Sequence, residues 1–226
     1  MLADDTYIAR RLHLLGEWDA ALATLGPDAD PELRAEIAVD RWFFQIEHHE
    51  EAEKAVAALD PASPTAQLLT ARMAYSRLLF RHHPRADDRA VAEAGYRAAV
   101  ETGNEKQRGW AEYHWGVLLD NIDDDPDGAL RRYGTALDIA TKTNDCYLES
   151  YIIRHLAHLK EPTERIAMLR RSLHLRAALG ARPQTVAAQA TLAEDLPQDD
   201  PERADLTQTF RPAAQKLRIP WLHPDS

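Results

Sequence analysis

Residues 106–142 read KQRGWAEYHWGVLLDNIDDDPDGALRRYGTALDIATK. Asp125-Pro126-Asp127 divides this stretch, because an acidic side chain suits a helix N-cap and Pro suits the first helical turn. Trp115-Gly116-x₂-Leu119 stands before the mark and Ala129-x₃-Tyr133-x₂-Ala136 after it. The stretch therefore reads as a helix, a turn and a second helix.

The small-x₃-large spacing of Ala129 and Tyr133 recurs along the chain. It appears as Ala21-x₃-Leu25, Ala55-x₃-Leu59 and Ala92-x₃-Tyr96, then more weakly as Arg165-x₃-Leu169 and Leu206-x₃-Phe210. The larger member returns at intervals of 34, 37, 37, 36 and 41 residues. Periods in this range signify stacked supersecondary units that bury a continuous core between neighbours. Six helix pairs are expected, at 2–26, 31–60, 64–103, 106–142, 146–180 and 183–217. Asp30-Pro31, Ser63-Pro64 and Asp200-Pro201 repeat the start signal, and Gly26-Pro27, Gly103-Asn104 and Gly180 supply stops with Gly suited to a left-handed C-terminal turn. Between the marks, apolar residues follow helical spacing, as in Ala35, Val39, Trp42, Phe43 and Ile46. No segment alternates as a strand would. The expectation is an all-α chain forming one domain over 1–226, with the apolar tail Leu217–Leu222 packed back on the last helix.

Composition narrows the function classes. Of 226 residues, 45% are hydrophobic and 28% charged, enough apolar material for a sizeable core. A net charge of −10 disfavours general attraction to nucleic acid or to anionic membrane. Cys146 is the sole cysteine, which rules out an internal disulfide and fits a reducing compartment. The acidic start Met1-Leu2-Ala3-Asp4-Asp5 does not read as a secretory signal, and no apolar run approaches the roughly 20 residues that span a bilayer. A cytoplasmic location, without membrane or direct nucleic-acid contact, is expected.

Several patterns invite chemistry and have a plainer account. Asp123-x-Asp125-x-Asp127-Gly128 opens like an EF-hand loop, but Gly134 stands where the bidentate Glu belongs, so helix capping is the better reading. The adjacent pairs His48-His49 and His82-His83 point apart on a helix. His155 and His158 share a face with Glu161 following, yet they lack the His-Glu-x₂-His arrangement of a zinc helix. Cys146 lies between Asp145 and Glu149 with no cation beside it to activate a thiolate. Arg131-Arg132 and Arg170-Arg171 on second helices form either a basic ridge or a solvated face. No nucleophile elbow, phosphate-binding glycine loop or dinucleotide fingerprint occurs, so no catalytic residue, metal or cofactor is assigned.

Gly16-x-Trp18-x₂-Ala21-x₃-Leu25, Trp115-Gly116-x₂-Leu119 and Ala129-x₃-Tyr133-x₂-Ala136 resemble the tetratricopeptide repeat family. The likeness covers roughly residues 5–217, although the family period of 34 is shorter than most intervals here. The resemblance implies a right-handed α-solenoid whose first helices line a concave face that holds a peptide or partner helix. Counting along those helices, it places Thr6, Arg10 and His13, then Asp40, Phe44 and Glu47, on that face. The fourth repeat adds Trp110, Tyr113, Val117, Asp120 and Asn121, and the fifth adds Tyr151, Arg154 and His158. The third repeat cannot be phased. Trp115 belongs to the core. Arg10, Trp110, Tyr113, Asn121, Tyr151, Arg154 and His158 are the binding candidates, since Trp, Tyr and Arg concentrate interface energy. The leading expectation is a non-enzymatic adaptor for a protein or peptide partner. The alternatives are a regulatory sensor of a small molecule or signalling peptide, and an enzyme whose site assembles between helices.

Overall fold

A computed structural model describes residues 4–26 and 30–222. The start Met1-Leu2-Ala3 and the Pro27 of the first stop signal lie outside them. Among the described residues there are twelve α-helices and no strand. The first pair is α1 (Asp5–Leu14) with α2 (Trp18–Thr24), and the second α3 (Pro31–Gln45) with α4 (His49–Ala57). Then come α5 (Pro64–Phe80) with α6 (Asp88–Thr102) and α7 (Glu105–Asn121) with α8 (Pro126–Thr143). The last two pairs are α9 (Cys146–Ala157) with α10 (Pro162–Leu179) and α11 (Arg182–Asp195) with α12 (Pro201–Leu217). Each helix packs on its sequence neighbours, so the six expected pairs are present.

The caps explain these boundaries. Asp30 accepts from the amides of Glu32 and Leu33, Ser63 from Ala66, Asp125 from Gly128 and Asp200 from Glu202. A Pro follows each of the four. These bonds satisfy donors that a helix start otherwise leaves orphaned. Gly180 takes the left-handed conformation expected of it, with φ 72°. Gly26 and Gly103 do not, which corrects the stop-signal reading. After α2 the backbone leaves extended at Leu25, and after α6 Gly103 (φ −74°) leads straight into the Asn104–Gln107 capping box of α7. An extended exit needs no left-handed residue.

The repeated spacing marks the buried seams. Ala21, Leu25, Ala92, Tyr96, Ala129 and Tyr133 are all buried, as are Leu59, Leu169 and Phe210. Gly116 lets α7 approach α8, because a Cβ there would stand 2.7 Å from the Tyr133 ring. Trp115 is buried in the same cluster, with the Arg132 guanidinium 3.5 Å from its ring centroid.

The first and last helix pairs meet. One core cluster joins Ala9, Trp18, Leu33 and Phe44 to Ala190, Phe210, Leu217 and Ile219. Gly16, at φ 76°, closes this junction: a Cβ there would lie 2.7 Å from Leu217 and 2.8 Å from Pro183. The tail passes beyond its own helix. Pro220–Leu222 forms a 3₁₀ turn, and Trp221 stands 6.0 Å from the Phe44 ring and 6.2 Å from that of Phe43 on α3. Contacts thus run from each pair to the next and from the last pair back to the first.

Candidate functional site

Two cavities, of about 510 Å³ and about 350 Å³, lie among the first helices of the pairs, and Asp40, Arg72, His114 and Tyr151 line both. Every first helix, α1, α3, α5, α7, α9 and α11, contributes to them. On α7 the lining residues Trp110, Tyr113, His114, Val117 and Asn121 recur every three or four positions, as one helical face must. The tail residues Trp221 and Leu222 and one second-helix residue, Arg176, complete the smaller cavity.

Asp40 anchors the shared wall. It accepts from His13 Nε2 at 2.7 Å and from Arg72 Nη2 at 2.6 Å. Burial alone would raise its pKa, but the Arg72 and His13 interactions outweigh burial and hold the carboxyl well below its usual range. Arg72 is therefore neutralised where it stands. His114, on the same wall, is kept neutral chiefly by desolvation, with the Arg72 charge adding to the effect.

A polar chain runs behind the smaller cavity. His155 Nε2 accepts from Arg154 Nη2 at 2.8 Å and from the Tyr113 hydroxyl at 3.2 Å. Its Nδ1 therefore carries the proton, facing Asp120 at 3.4 Å and the Tyr133 hydroxyl oxygen at 3.2 Å. Tyr133 in turn donates to Asp120 at 2.9 Å. Burial, then the adjacent Arg154 charge, lowers the His155 pKa to about 3. Burial pushes Tyr113 up to about 12. A neutral imidazole that already accepts two bonds is committed to orienting Arg154 and Tyr113 rather than to ligating a metal.

Arg154 and Arg176 differ from Arg72. Neither makes an ion pair with a carboxylate among the described residues. Arg176 is 2% exposed and rests on uncharged partners: the Gln184 carbonyl at 3.1 Å, Ser150 Oγ at 3.3 Å and the Tyr151 ring at 4.5 Å. Desolvation lowers its pKa. The Gln184 side-chain Oε1 is buried on the same cavity without a hydrogen-bond partner. Asn121 Nδ2 donates to the Tyr75 hydroxyl at 2.7 Å. Phe43, Phe44, Phe80 and Trp221 provide an apolar wall.

The structure brings most of the sequence-derived candidates together. Arg10, Trp110 and Tyr151 line the larger cavity; Tyr113, Asn121, Tyr151 and Arg154 line the smaller. His158 is exposed at the end of α9 and borders neither. Of the other counted positions, His13, Asp40, Phe44 and Val117 line a cavity, while Thr6, Glu47 and Asp120 do not. Sequence reasoning missed Arg72 and Tyr75 on α5, Gln184 on α11, and Arg176. On α5 the lining residues Thr65, Leu68, Arg72, Tyr75 and Leu79 share one helical face, but its other sides are buried too, so spacing alone does not mark that face.

The remaining patterns resolve into structure. Asp125 caps α8, and Asp123 binds Arg89 at 2.6 Å. Arg132 pairs with Glu112, Arg170 with Glu202 and Arg171 with Glu149, so most of the suspected basic ridge is neutralised. His48 turns to Arg41, whereas the His49 ring stacks on His83 at 4.3 Å. Cys146 is partly exposed at the first position of α9. Among the described residues, no group of three or more His, Cys, Asp or Glu is arranged to hold a metal, and no helix is long and apolar enough to cross a membrane. No protein-family profile, curated protein or solved structure matches this chain.

Proposed function

We propose that this protein is a tetratricopeptide-like α-solenoid that acts as a binding protein, a sensor that takes a small ligand into its interior. The repeat spacing, the consecutive packing of the pairs and the first-helix lining support the fold reading. The observation that carries the function is the smaller cavity. It is an aromatic pocket of about 350 Å³ holding two guanidiniums that no described carboxylate neutralises. Ligand sites characteristically combine such apolar walls with a few fixed polar groups, at volumes of roughly 300–1,000 Å³. A folded partner cannot enter a space of this size.

An adaptor working through an open groove would instead expose its Trp, Tyr and Arg residues to a partner. Here Tyr113 is buried, and Tyr151 and Arg154 are half-buried. A thermal-shift screen of small organic molecules and short peptides against the full chain tests the proposal. Ala187→Trp, which places an indole in the smaller cavity, serves as the blocked control. Ligands that raise the melting temperature of the wild type and not of Ala187→Trp would support the sensor reading. Equal shifts in both proteins would place binding elsewhere and refute it.

A further inference from the structure

We infer that the ligand of the smaller cavity is a small organic anion, with its acidic group held between Arg154 and Arg176 and an aromatic or branched apolar body against Phe43, Phe80 and Trp221. This inference rests on the proposal that the cavity is a ligand site.

The argument begins with what each charged group in the wall already has. Arg72 is matched by Asp40 at 2.6 Å. Glu194 shares the lining but makes no ion pair among the described residues, and it is exposed. Asp120 is held by Tyr133 and His155 on the far side of the polar chain. Arg154 and Arg176 remain, both in the lining. Arg176 is buried and Arg154 half-buried; a buried cation is costly unless it is paired, and a guanidinium has five donors in a planar fork that matches carboxylate or phosphate. Arg176 gives one donor from each nitrogen to the Ser150 hydroxyl and to the backbone carbonyls of Gln184 and Ser150, and Arg154 gives one to the neutral imidazole of His155. Such bonds orient the two side chains without cancelling their charge. The Tyr113 hydroxyl, fixed by His155 beside them, offers a further polar contact.

A second, independent observation points to a ligand. Gln184, a residue of the cavity lining, is 5% exposed, and its buried Oε1 has no hydrogen-bond partner. An unpaired amide oxygen is an acceptor, so it calls for a hydrogen-bond donor on the body of an occupant, which the acid group itself does not supply. Much of the rest of the wall is apolar, with Phe43, Phe44, Phe80 and Trp221 beside Leu79, Val117 and Leu222. An inorganic ion would leave that area wet, whereas an aryl or branched acid covers it.

The test uses the full chain and three probes: 3-phenylpropionate, its uncharged isostere 3-phenylpropanamide, and 2-phenylethyl phosphate. Each is titrated by calorimetry into the wild type, Arg154→Gln, Arg154→Lys and Ala187→Trp, with circular dichroism as the check on folding. The wild type should bind the carboxylate at least about tenfold more tightly than the amide, since a charge-assisted bond is involved. Arg154→Gln should erase that preference, Arg154→Lys should retain part of it, and Ala187→Trp should lose binding altogether. A phosphate that binds better still would support the anion site and assign it to phosphate monoesters. Equal binding of acid and amide, with both lost in Ala187→Trp, would leave the cavity a ligand site and overturn the anion. Binding unchanged in Ala187→Trp would overturn both. If none of the three probes binds the wild type, the aryl-anion assignment is wrong.

Discussion

Gln45 and Leu217 lie 172 positions apart and are joined by a buried hydrogen bond, with Gln45 Nε2 donating to the Leu217 carbonyl at 3.2 Å. The bond fastens the end of α3 to the end of α12. Around it, Arg218 faces Asp19 at 3.7 Å and Glu47 at 3.6 Å, and Arg182 faces Glu17 at 3.7 Å. These exposed pairs add little stability by themselves. The shared apolar cluster and the buried bond make the junction, and the junction carries Trp221 to the smaller cavity.

Gly16 is where this junction is most sensitive. Gly16→Ala must accept a side chain at φ 76° with its Cβ 2.7 Å from Leu217, a combination expected to cost about 1–3 kcal/mol. Gly134→Ala is the control, because a Cβ there meets nothing within 4 Å and α8 gains helix propensity. Urea denaturation should show a lowered midpoint for Gly16→Ala and an unchanged or raised one for Gly134→Ala. Equal midpoints would contradict the close approach.

Removing residues 201–226 tests the junction from the other side. The deletion takes Phe210, Ala214, Leu217 and Ile219 from the core that α1–α3 share. Amide hydrogen exchange should therefore accelerate in α1–α3 as well as in the neighbouring α11. Faster exchange confined to α11 would mean that the first and last pairs stand apart.

Asp88 holds the turn between α5 and α6. It is fully buried, binds Arg77 through both carboxylate oxygens and accepts the Arg85 amide at 2.7 Å. Asp88→Ala leaves Arg77 without this partner and should destabilise the protein by about 3–5 kcal/mol. The double variant Arg77→Met/Asp88→Leu should lose less, because it removes both charges together. Thermal or urea melts of the two proteins decide the matter.

How much of this was legible in the sequence follows the range of each interaction. The pair boundaries were readable because Asp30, Ser63, Asp125 and Asp200 bond to amides two or three residues away. The face of α5 was not. Its buried residues run from Thr65 and Ala66 through Leu69, Ala71, Met73, Ala74 and Tyr75 to Arg77, so no single apolar stripe betrays its phase. Arg176 escaped notice because it follows Arg170-Arg171 on a second helix, in a stretch that reads as a solvated basic face. The meeting of Gln45 with Leu217 leaves no local trace at all.

His155 links stability to pH. Its folded pKa of about 3 lies below the unfolded value near 6.5, so between them the unfolded chain binds a proton that the folded chain refuses. Stability from this residue is full above about pH 6.5 and is lost as the pH falls towards about 3. At about pH 5 the loss should reach roughly 2 kcal/mol. His155→Gln is expected to be less stable than the wild type at neutral pH, with the gap narrowing in acid. A gap that stays constant between about pH 7.5 and about pH 5 would contradict a neutral, buried His155.

The most direct test of a ligand-filled interior is native mass spectrometry of the chain isolated gently from its own host, compared with Ala187→Trp prepared in the same way. The account predicts a wild-type protein that carries an extra mass of about a few hundred daltons, the scale of a molecule that fits a pocket this size, and a variant that carries none. Wild-type protein at bare chain mass, or the same extra mass on both proteins, would contradict it.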